Sequence, residues 1–324
     1  MRGLRILAGI AIATLAAIAP ARAQDYPART IRLVVAFPAG GPTDFVARLL
    51  ADKLKGILGQ SVLVENKSGA NAAIGADYVA KSDPDGYTLF FTTISAVVMN
   101  PHLRADLPYD PVRDFAPVTR VVLTTEVLVV SAKSPIKSTK DLVDLAKQKD
   151  GGLPMASTGV GSLPHLALEL FQQSAGIKVV HVPYRGAAPA VTDILGGQVT
   201  GSFLDLPVAM PQIIGGNLRA LGTASGKRDV VLPDIPTFDE QGYRDVHADN
   251  WYAVFAPART PAPVIAKLNS AFRAALTDAE VGRKLLAAGA VPAPTTPEEL
   301  GDILKADLVR WGKIIRDRQI KTSE

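Results

Sequence analysis

The chain has 324 residues, with 35 Lys and Arg against 31 Asp and Glu, and it contains no cysteine. The absence of cysteine excludes a disulfide framework, thiolate catalysis and zinc–thiolate sites. The charge is nearly balanced and no basic stripe carries interleaved aromatics, which argues against nucleic acid as a partner.

The first 23 residues have the pattern of a secretory signal peptide. Arg2 and Arg5 precede an apolar run over residues 6–19, and residues 21–23 read Ala-Arg-Ala, a small-x-small cleavage pattern. The apolar run is too short to span a bilayer stably, and no cysteine follows it for lipid attachment. We therefore expect export by the general secretory route, cleavage near Ala23 and a periplasmic mature protein. The leader holds three arginines and no acid, which leaves 32 basic and 31 acidic residues.

The next part of the chain alternates short apolar runs with amphipathic stretches, the pattern of an α/β architecture. It predicts strands at 31–37, 62–65 and 87–93 and helices at 45–58 and 74–81. The helix over 45–58 has an apolar stripe of 3.6-residue period that stops at Gly59.

A second set of alternating units follows in the middle of the chain. The predicted strands are 121–131, 154–158, 179–184, 199–206 and 218–224, and the predicted helices are 140–148, 162–174, 189–195 and 210–214. After this set come one more strand-like run at 251–256 and helices at 263–276 and 296–320. Thr296, with Glu299 three residues later, forms the capping box of the last helix.

The mature chain, at about 300 residues, is longer than one hydrophobic core usually holds, which favours two lobes. The late strand and helices indicate that the chain leaves the first lobe and returns to it. We expect lobe 1 to comprise residues 24–122 and 253–324, and lobe 2 to comprise residues 123–252.

Four strand-to-helix loops have the composition of anion-binding loops, at 37–44, 69–73, 157–162 and 184–188. Ligands of α/β lobes bind at the carboxyl ends of strands, where unpaired backbone N–H groups and helix dipoles favour an anion. Small residues and glycines let a ligand approach the main chain closely.

Individual residues of these loops have two readings each. Gly40 and Gly41 either cradle a ligand or form a tight turn, and Asp44 either faces the ligand or complements a helix N-terminus. Arg185 either clamps a carboxylate or is a solvated or inter-lobe salt-bridging residue. Asp205 ends an apolar strand and therefore needs a partner: it is either a structural hydrogen-bonding hub or a receptor for a ligand ammonium group.

Ten segments, in this order and spacing, resemble the Bug-type receptors, the substrate-binding proteins of tripartite tricarboxylate transporters. They are 26–29 (YPAR), 37–44 (FPAGGPTD), 65–70 (ENKSGA), 84–89 (PDGYTL), 114–118 (DFAPV), 165–171 (HLALELF), 181–186 (HVPYRG), 193–199 (DILGGQV), 232–237 (LPDIPT) and 251–257 (WYAVFAP). The resemblance covers nearly the whole mature chain.

The resemblance implies a type II periplasmic-binding-protein fold, with two α/β lobes, a ligand cleft and a hinge between them. It implies a small carboxylate ligand: a di- or tricarboxylate, an acidic amino acid or an aromatic acid. With the neighbouring loop glycines, the ligand-binding residues it indicates are Phe37, Ala39, Gly40, Gly41, Thr43, Asp44, Ala70, Asn71, Ser157, Thr158, Gly159, His165, Arg185, Gly186 and Asp205. Asn71 departs from the family pattern, which has Gly or Ala more often there.

The sequence carries none of the motifs of a hydrolase or nucleotide enzyme: no G-x-S-x-G, no H-E-x-x-H and no phosphate-binding P-loop. No histidine pair has metal-ligand spacing, so we expect no enzyme activity, no metal and no cofactor. The expected partners are the membrane permease subunits of a tripartite transporter, and the expected state is a monomer. A receptor that presents its liganded form to a sensor kinase is the alternative, and a periplasmic hydrolase is a weaker one.

Overall fold

The computed structural model describes residues 26–320; the predicted signal peptide lies outside them. The strands are β1 (Ile31–Val35), β2 (Val62–Asn66), β3 (Thr88–Thr93), β4 (Phe115–Ser131), β5 (Leu153–Ser157), β6 (Val179–Pro183), β7 (Gly201–Asp205), β8 (Leu218–Thr223), β9 (Asp249–Pro257) and β10 (Val291–Pro292). The helices are α1 (Pro42–Leu58), α2 (Ala73–Ala80), α3 (Asn100–Leu103), α4 (Thr139–Gln148), α5 (Leu163–Ala175), α6 (Ala187–Leu195), α7 (Leu206–Ile214), α8 (Ala262–Leu276), α9 (Ala279–Ala287) and α10 (Pro297–Asp317). A π-helical segment, Ser95–Met99, precedes α3.

The strands form one sheet in the order β2-β1-β3-β9-β4-β7-β5-β6, and β8 and β10 also pair with β4. Strands β2, β1 and β3 are parallel, whereas β9 lies antiparallel between β3 and β4. Strand β5 is parallel to β6 and β7. Because β9 follows β5–β8 in sequence, the chain leaves the first part of the sheet and then returns to it.

Strand β4 is 17 residues long and belongs to both parts of the sheet. It pairs with β9 over Phe115 to Thr125 and with β7 and β8 over Glu126 to Ser131. It begins six residues before the predicted start, in spite of Pro117. The register against β9 shifts between Pro117 and Thr119, where a missing N–H is tolerated.

Three hydrophobic clusters surround this sheet. One packs α1 and α8 against β1, β3 and β9, and a second packs α6 and α7 against β4 and β7. The third includes residues of both parts of the sheet, from Phe90 to Phe203, and side chains of α5 and α10. The result is two α/β lobes joined through β4, with a cleft and a hinge between them.

Local signals in the sequence explain where the helices start and stop. Helix α1 buries Val46, Leu50 and Leu54 of its predicted apolar stripe, whereas Phe45 and Ile57 at its two ends are exposed. It ends at Gly59, whose φ of 67° is left-handed. The capping box at the start of α10 is confirmed, since the Thr296 hydroxyl accepts from the Glu299 N–H and the Glu299 carboxylate accepts from the Thr296 N–H. The π-helical segment, α3 and α9 were not predicted.

Candidate functional site

The loop from β1 to α1 is held in shape by a buried carboxylate. Asp44 is 3% exposed and accepts hydrogen bonds from the Gly40 N–H at 2.9 Å, the Arg48 Nε at 2.8 Å and the Asn66 Nδ2 at 2.9 Å. The Asn66 amide also donates to the Phe37 carbonyl oxygen at 3.0 Å. Asp44 therefore organises the loop around it.

The charge of Asp44 is stabilised by these donors. Burial by itself would raise the pKa of Asp44, but the hydrogen bonds from Arg48, Gly40 and Asn66 outweigh it and lower the pKa below its ordinary value. The carboxylate stays ionised at neutral pH. It complements the N-terminus of α1, the second of the two readings that the sequence left open.

The exposed part of this loop is backbone and small side chains. Ala39 and Gly40 are exposed, and Gly40 has a φ of 78°. A Cβ at Gly40 would meet no atom within 4 Å, whereas one at Gly41 would lie 3.3 Å from the Pro38 carbonyl oxygen. The space next to Gly40 is therefore open to a ligand.

The second loop, between β2 and α2, has an uncommon backbone. Ala70, Asn71 and Ala72 have φ angles of 49°, 49° and 73°, three successive non-glycine residues in the left-handed region. Such a conformation costs free energy and persists only where the surroundings enforce it. An asparagine tolerates this region better than most residues other than glycine, so Asn71 fits the backbone of the loop.

Asn71 also connects the two lobes. Its Nδ2 donates to the Asn100 Oδ1 at 2.9 Å and to the Gly161 carbonyl oxygen at 3.0 Å. The Asn100 Nδ2 donates back to the Asn71 carbonyl oxygen at 2.8 Å and to the Tyr109 hydroxyl at 3.2 Å. The second loop of lobe 1 therefore contacts the loop that begins α5 in lobe 2.

On the side of lobe 2, the loop after β5 is closed by its own hydroxyl groups. The buried Ser157 hydroxyl bridges the Gly159 N–H at 3.2 Å and the His181 Nε2 at 2.6 Å. The Ser162 side chain caps α5 by accepting from the His165 N–H. The Thr158 carbonyl oxygen accepts from the Gly186 N–H at 3.3 Å and so links this loop to the one after β6.

His165 and His181 form a stacked pair beneath this loop. Their ring centroids are 4.0 Å apart with an interplanar angle of 9°. The His165 Nδ1 accepts from the Gly161 N–H at 3.2 Å, so the proton of the neutral ring is on Nε2, 3.5 Å from a Glu169 oxygen. Burial, and secondarily the neighbouring His165, lower the pKa of His181 to about 4. His181 is therefore neutral at pH 7.

The Ser157–His181 contact does not form a catalytic triad. Within residues 26–320 no carboxylate hydrogen-bonds His181, and the Ser157 hydroxyl is fully buried and engaged by its own loop. An activated serine requires a base that is itself oriented by a third group. The arrangement is suited to holding a loop in place.

The loop after β6 carries Arg185 and Gly186. Arg185 is exposed and forms no hydrogen bond or ion pair with any residue between 26 and 320. A Cβ at Gly186, whose φ is 106°, would lie 3.8 Å from the Pro38 side chain of the first loop. The loops of the two lobes thus approach each other at two places, Pro38 with Gly186 and Asn71 with Gly161.

Asp205 lies where the two lobes join. It is 9% exposed and accepts hydrogen bonds from the Thr124 hydroxyl, the Tyr252 hydroxyl and the Asn250 Nδ2, the last at 3.2 Å. Burial raises the pKa of Asp205 to about 6, and the three hydrogen bonds limit the rise. A polar cluster therefore lies at the end of β7.

Four members of this polar cluster were not predicted from the sequence: Thr124, Glu126, Asn250 and Tyr252. Glu126 had a detectable signal, because it is the single acid in the apolar, β-branched run from 121 to 131. The others had none, because only the register of β4 against β7 and β9 brings them next to Asp205.

Neither a metal centre nor a membrane span is present in the described part of the chain. Residues 26–320 contain no group of three or more His, Cys, Asp and Glu side chains arranged to hold a metal ion. Over the same residues no helix is both long enough and apolar enough to cross a bilayer.

Two α/β lobes joined by a shared strand, with loops of small and hydroxylated residues facing one another, define the class of periplasmic-type solute-binding proteins. The family model of the tripartite tricarboxylate transporter family receptor matches residues 46–320. The chain belongs to this family, whose members are binding receptors and not enzymes.

Individual relatives agree over almost the whole chain. Protein BugT of Bordetella pertussis is 39% identical over 320 residues, which cover 98% of both chains. An R. palustris protein solved with adipate is 34% identical with a TM-score of 0.88, covering 92% of this chain and 99% of that one. MatC of Rhodopseudomonas palustris, solved with bound malate, is 31% identical with a TM-score of 0.83, covering 90% of this chain and all of that one.

Proposed function

We propose that this protein is a periplasmic receptor that captures a small carboxylate between its lobes and delivers it to the membrane subunits of a tripartite transporter. The observation that carries the proposal is the approach of loops from the two lobes, at Asn71 with Gly161 and at Pro38 with Gly186. Two relatives of the same fold hold adipate and malate, which supports a carboxylate as the ligand class.

The predicted site residues fall into two groups by what their atoms do. Thr43, Asp44, Ser157, His165 and Asp205 are buried and engaged by the protein, so their role is to shape the pocket. The exposed or half-exposed groups are available to the ligand: Phe37, Ala39, Gly40, Gly41, Ala70, Thr158, Gly159, Arg185 and Gly186. Asn71, also half-exposed, is engaged by Asn100 and Gly161. The N–H groups of Gly40, Gly41, Gly159 and Gly186 already donate hydrogen bonds within the protein. We therefore assign carboxylate capture to the main-chain N–H groups of Ala39 and Thr158 and to the Thr158 hydroxyl, with Arg185 as an added cation.

The pairing of β4 supports the proposed lobe boundaries. Its partner changes from β9 to β7 and β8 between Thr125 and Glu126, close to the boundary proposed between residues 122 and 123. The return at residue 253 falls within β9, which starts at Asp249, so we move that boundary to the start of the strand.

A thermal-shift screen of the mature protein over organic acids tests the ligand class. At a hundredfold excess over its dissociation constant, a ligand adds about 2.7 kcal/mol of stability. Stabilisation by sugars or metal ions and by no carboxylate would refute the class. The N-terminal mass of the exported protein tests the leader: cleavage near Ala23 is expected, and an intact residue 1–23 segment would contradict it.

A glycine variant tests the location of the site. Gly40→Val places a branched side chain in the open space beside the loop, and we expect carboxylate binding to be lost. Gly59→Val is the control and should bind normally, because Gly59, at the other end of α1, has a similar left-handed φ of 67° and a Cβ there would also meet nothing within 4 Å. Equal affinity of the two variants would place the site elsewhere.

A further inference from the structure

A hydrogen bond crosses the cleft between two loops that belong to different lobes. The Asn71 Nδ2 of lobe 1 donates to the Gly161 carbonyl oxygen of lobe 2 at 3.0 Å, and 90 residues separate the two in sequence. Gly161 is buried and Asn71 is half-exposed. Because water has little access to the acceptor while the lobes are together, it competes weakly for this bond.

The orientation of the Asn71 amide follows from its two acceptors. Its Nδ2 carries two hydrogens, which face the Asn100 Oδ1 at 2.9 Å and the Gly161 carbonyl oxygen at 3.0 Å. The opposite orientation would turn the amide oxygen towards both of these oxygens. Asn71 is therefore a donor in the cleft, and both of its N–H groups are used.

Lobe 1 holds Asn71 in this position through Asn100. Asn100 is 1% exposed, and its Nδ2 donates to the Asn71 carbonyl oxygen at 2.8 Å and to the Tyr109 hydroxyl at 3.2 Å. The Tyr109 hydroxyl donates in turn to the carbonyl oxygen of Ala96, in the π-helical segment, at 2.5 Å. Contacts within lobe 1 therefore fix the donor, so closing the cleft costs little further side-chain entropy.

Lobe 2 holds the acceptor in the same way. The Gly161 carbonyl shares its peptide plane with the Ser162 N–H, which donates to the Gly159 carbonyl oxygen at 3.2 Å. The Ser162 hydroxyl donates to the same oxygen at 2.7 Å, and the Gly161 N–H donates to the His165 Nδ1 at 3.2 Å. Since each partner is held by its own lobe, the bond between them forms or breaks as the lobes move.

The other side-chain hydrogen bonds between the lobes, among residues 26–320, lie at the junction of the strands or along α10. Those at the junction involve Asp205 and Asp229, and those along α10 are made by exposed side chains. The Asn71 bond instead joins loops that face each other across the cleft. Opening of the cleft by a hinge at the junction therefore breaks it.

We propose that Asn71 is the latch of this receptor: its hydrogen bond to the Gly161 carbonyl oxygen favours the closed arrangement of the lobes, whatever ligand lies between them. A closed form is then populated in the ligand-free protein, and a ligand that binds it does not have to supply the whole free energy of closure. The effect of the latch on affinity rests on the proposed function. Its effect on the lobes concerns the ligand-free protein alone.

Loss of the latch should weaken every ligand by the same factor. A ligand that binds the closed form has an apparent dissociation constant equal to its intrinsic value divided by the closed fraction. The fold loss of affinity should therefore equal the fold fall of the ligand-free closed fraction. A neutral hydrogen bond corresponds to about a 2- to 10-fold change in the ratio of closed to open protein.

Single-molecule fluorescence energy transfer between the lobes measures the closed fraction without ligand. The chain has no cysteine, so the dyes can be attached to cysteines introduced at two exposed positions, Asp52 on α1 and Thr192 on α6. These helices pack in different lobes. Titration calorimetry with malate, adipate and each further acid that the thermal-shift screen identifies measures the affinity.

Two variants remove the latch in different ways. Asn71→Gly deletes the donor and keeps a residue that adopts a positive φ readily. It should lower the ratio of closed to open ligand-free protein about 2- to 10-fold and weaken all bound acids by one factor. Asn71→Asp keeps the size of the side chain and places an oxygen opposite the Gly161 carbonyl, so it should lower the ligand-free closed fraction at least as much.

Ala72→Gly is the matched control. It introduces glycine at a neighbouring left-handed position of the same loop, with a φ of 73°, and leaves the hydrogen bonds of Asn71 in place. Its closed fraction and affinities should equal those of the wild type. A closed fraction lowered equally by this control would assign the effect to the flexibility of the loop and refute the latch.

Further results would overturn the inference and leave the receptor function intact. These are a ligand-free wild type without a closed population, or an unchanged closed fraction in either Asn71 variant. Loss of affinity by Asn71→Gly without opening, or by factors that differ between acids, would show that Asn71 contacts the ligand itself. If both variants open the ligand-free protein but no acid binds the wild type, the latch stands and the proposed ligand class is wrong.

Discussion

Replacement of Asp44 by asparagine tests how the first binding loop is held. The carboxylate accepts from the Gly40 N–H, the Asn66 amide and the Arg48 guanidinium. An asparagine keeps one acceptor oxygen and turns the other into an N–H₂ group, which faces donors. Asp44→Asn should therefore destabilise the protein and loosen the loop.

The magnitude follows from the three contacts. The ion pair with Arg48, whose side chain is 54% exposed, adds little in water. Of the bonds from Gly40 and Asn66, one becomes a neutral bond and the other is lost, because its donor then faces the new N–H₂ group. Hydrogen bonds to a charged group contribute about 1.5–3 kcal/mol each, so we expect a loss of about 2–4 kcal/mol.

Urea unfolding at pH 7 and at pH 3 measures this effect. The pKa of Asp44 is lowered in the folded state, so its stabilisation is present above the unfolded pKa of about 4 and is lost as the pH falls through the folded pKa. The difference in unfolding free energy between the wild type and Asp44→Asn should be large at pH 7 and smaller at pH 3.

Equal urea midpoints for wild type and Asp44→Asn at pH 7, with the same dependence on urea concentration, would refute this account of the loop. If the difference in unfolding free energy stays constant down to pH 3, the charge of Asp44 does not contribute to the stability of the protein.

Three further changes test other parts of the structure. Thr296→Ala removes the capping box of α10 and should cost about 1 kcal/mol in urea unfolding. His181→Asn should flatten the pH dependence of stability. The pKa of His181 is about 4 in the folded state against 6.5 in the unfolded state, so the wild type loses stability as the pH falls from 6.5 to 4. Urea midpoints of wild type and variant at both pH values measure this. Gly75→Ala would place a Cβ 2.8 Å from the Lys67 carbonyl oxygen and should lower the melting temperature, at a cost of about 1–3 kcal/mol.

Most of the fold could be predicted from the sequence, because hydrophobic periodicity and turn residues act over short stretches of chain. The apolar stripe of α1, its stop at Gly59 and the capping box at Thr296 are local signals, and all three are present in the structure. The predicted start of β4 is six residues late, because a proline such as Pro117 indicates the end of a strand. Only the pairing with β9 shows that the ladder is irregular at that point.

The candidate site could be predicted only in part, because the signals in a sequence act over short stretches of chain. Its loops have local glycine-rich signatures, whereas the partners of their polar groups are distant in sequence. Asp205 was identified as an acid that needs partners, but Thr124 and Tyr252 lie 81 and 47 residues away. Asn71 was noticed as a departure from the family, and its bond across the cleft to Gly161 spans 90 residues. Contacts of this kind depend on strand order, which no short motif encodes.

The place of β9 in the sheet separates the order of synthesis from the order of assembly. Strand β9 lies between β3 and β4, although every residue of β5 to β8 is synthesised before it. A chain that stops short of Asp249 therefore lacks the strand that joins β3 to β4, and neither edge has a partner. Pairings over such long separations form slowly. A nascent chain thus stays without its central strand until most of its length has been made, and its two parts of the sheet cannot be joined through β9 before then.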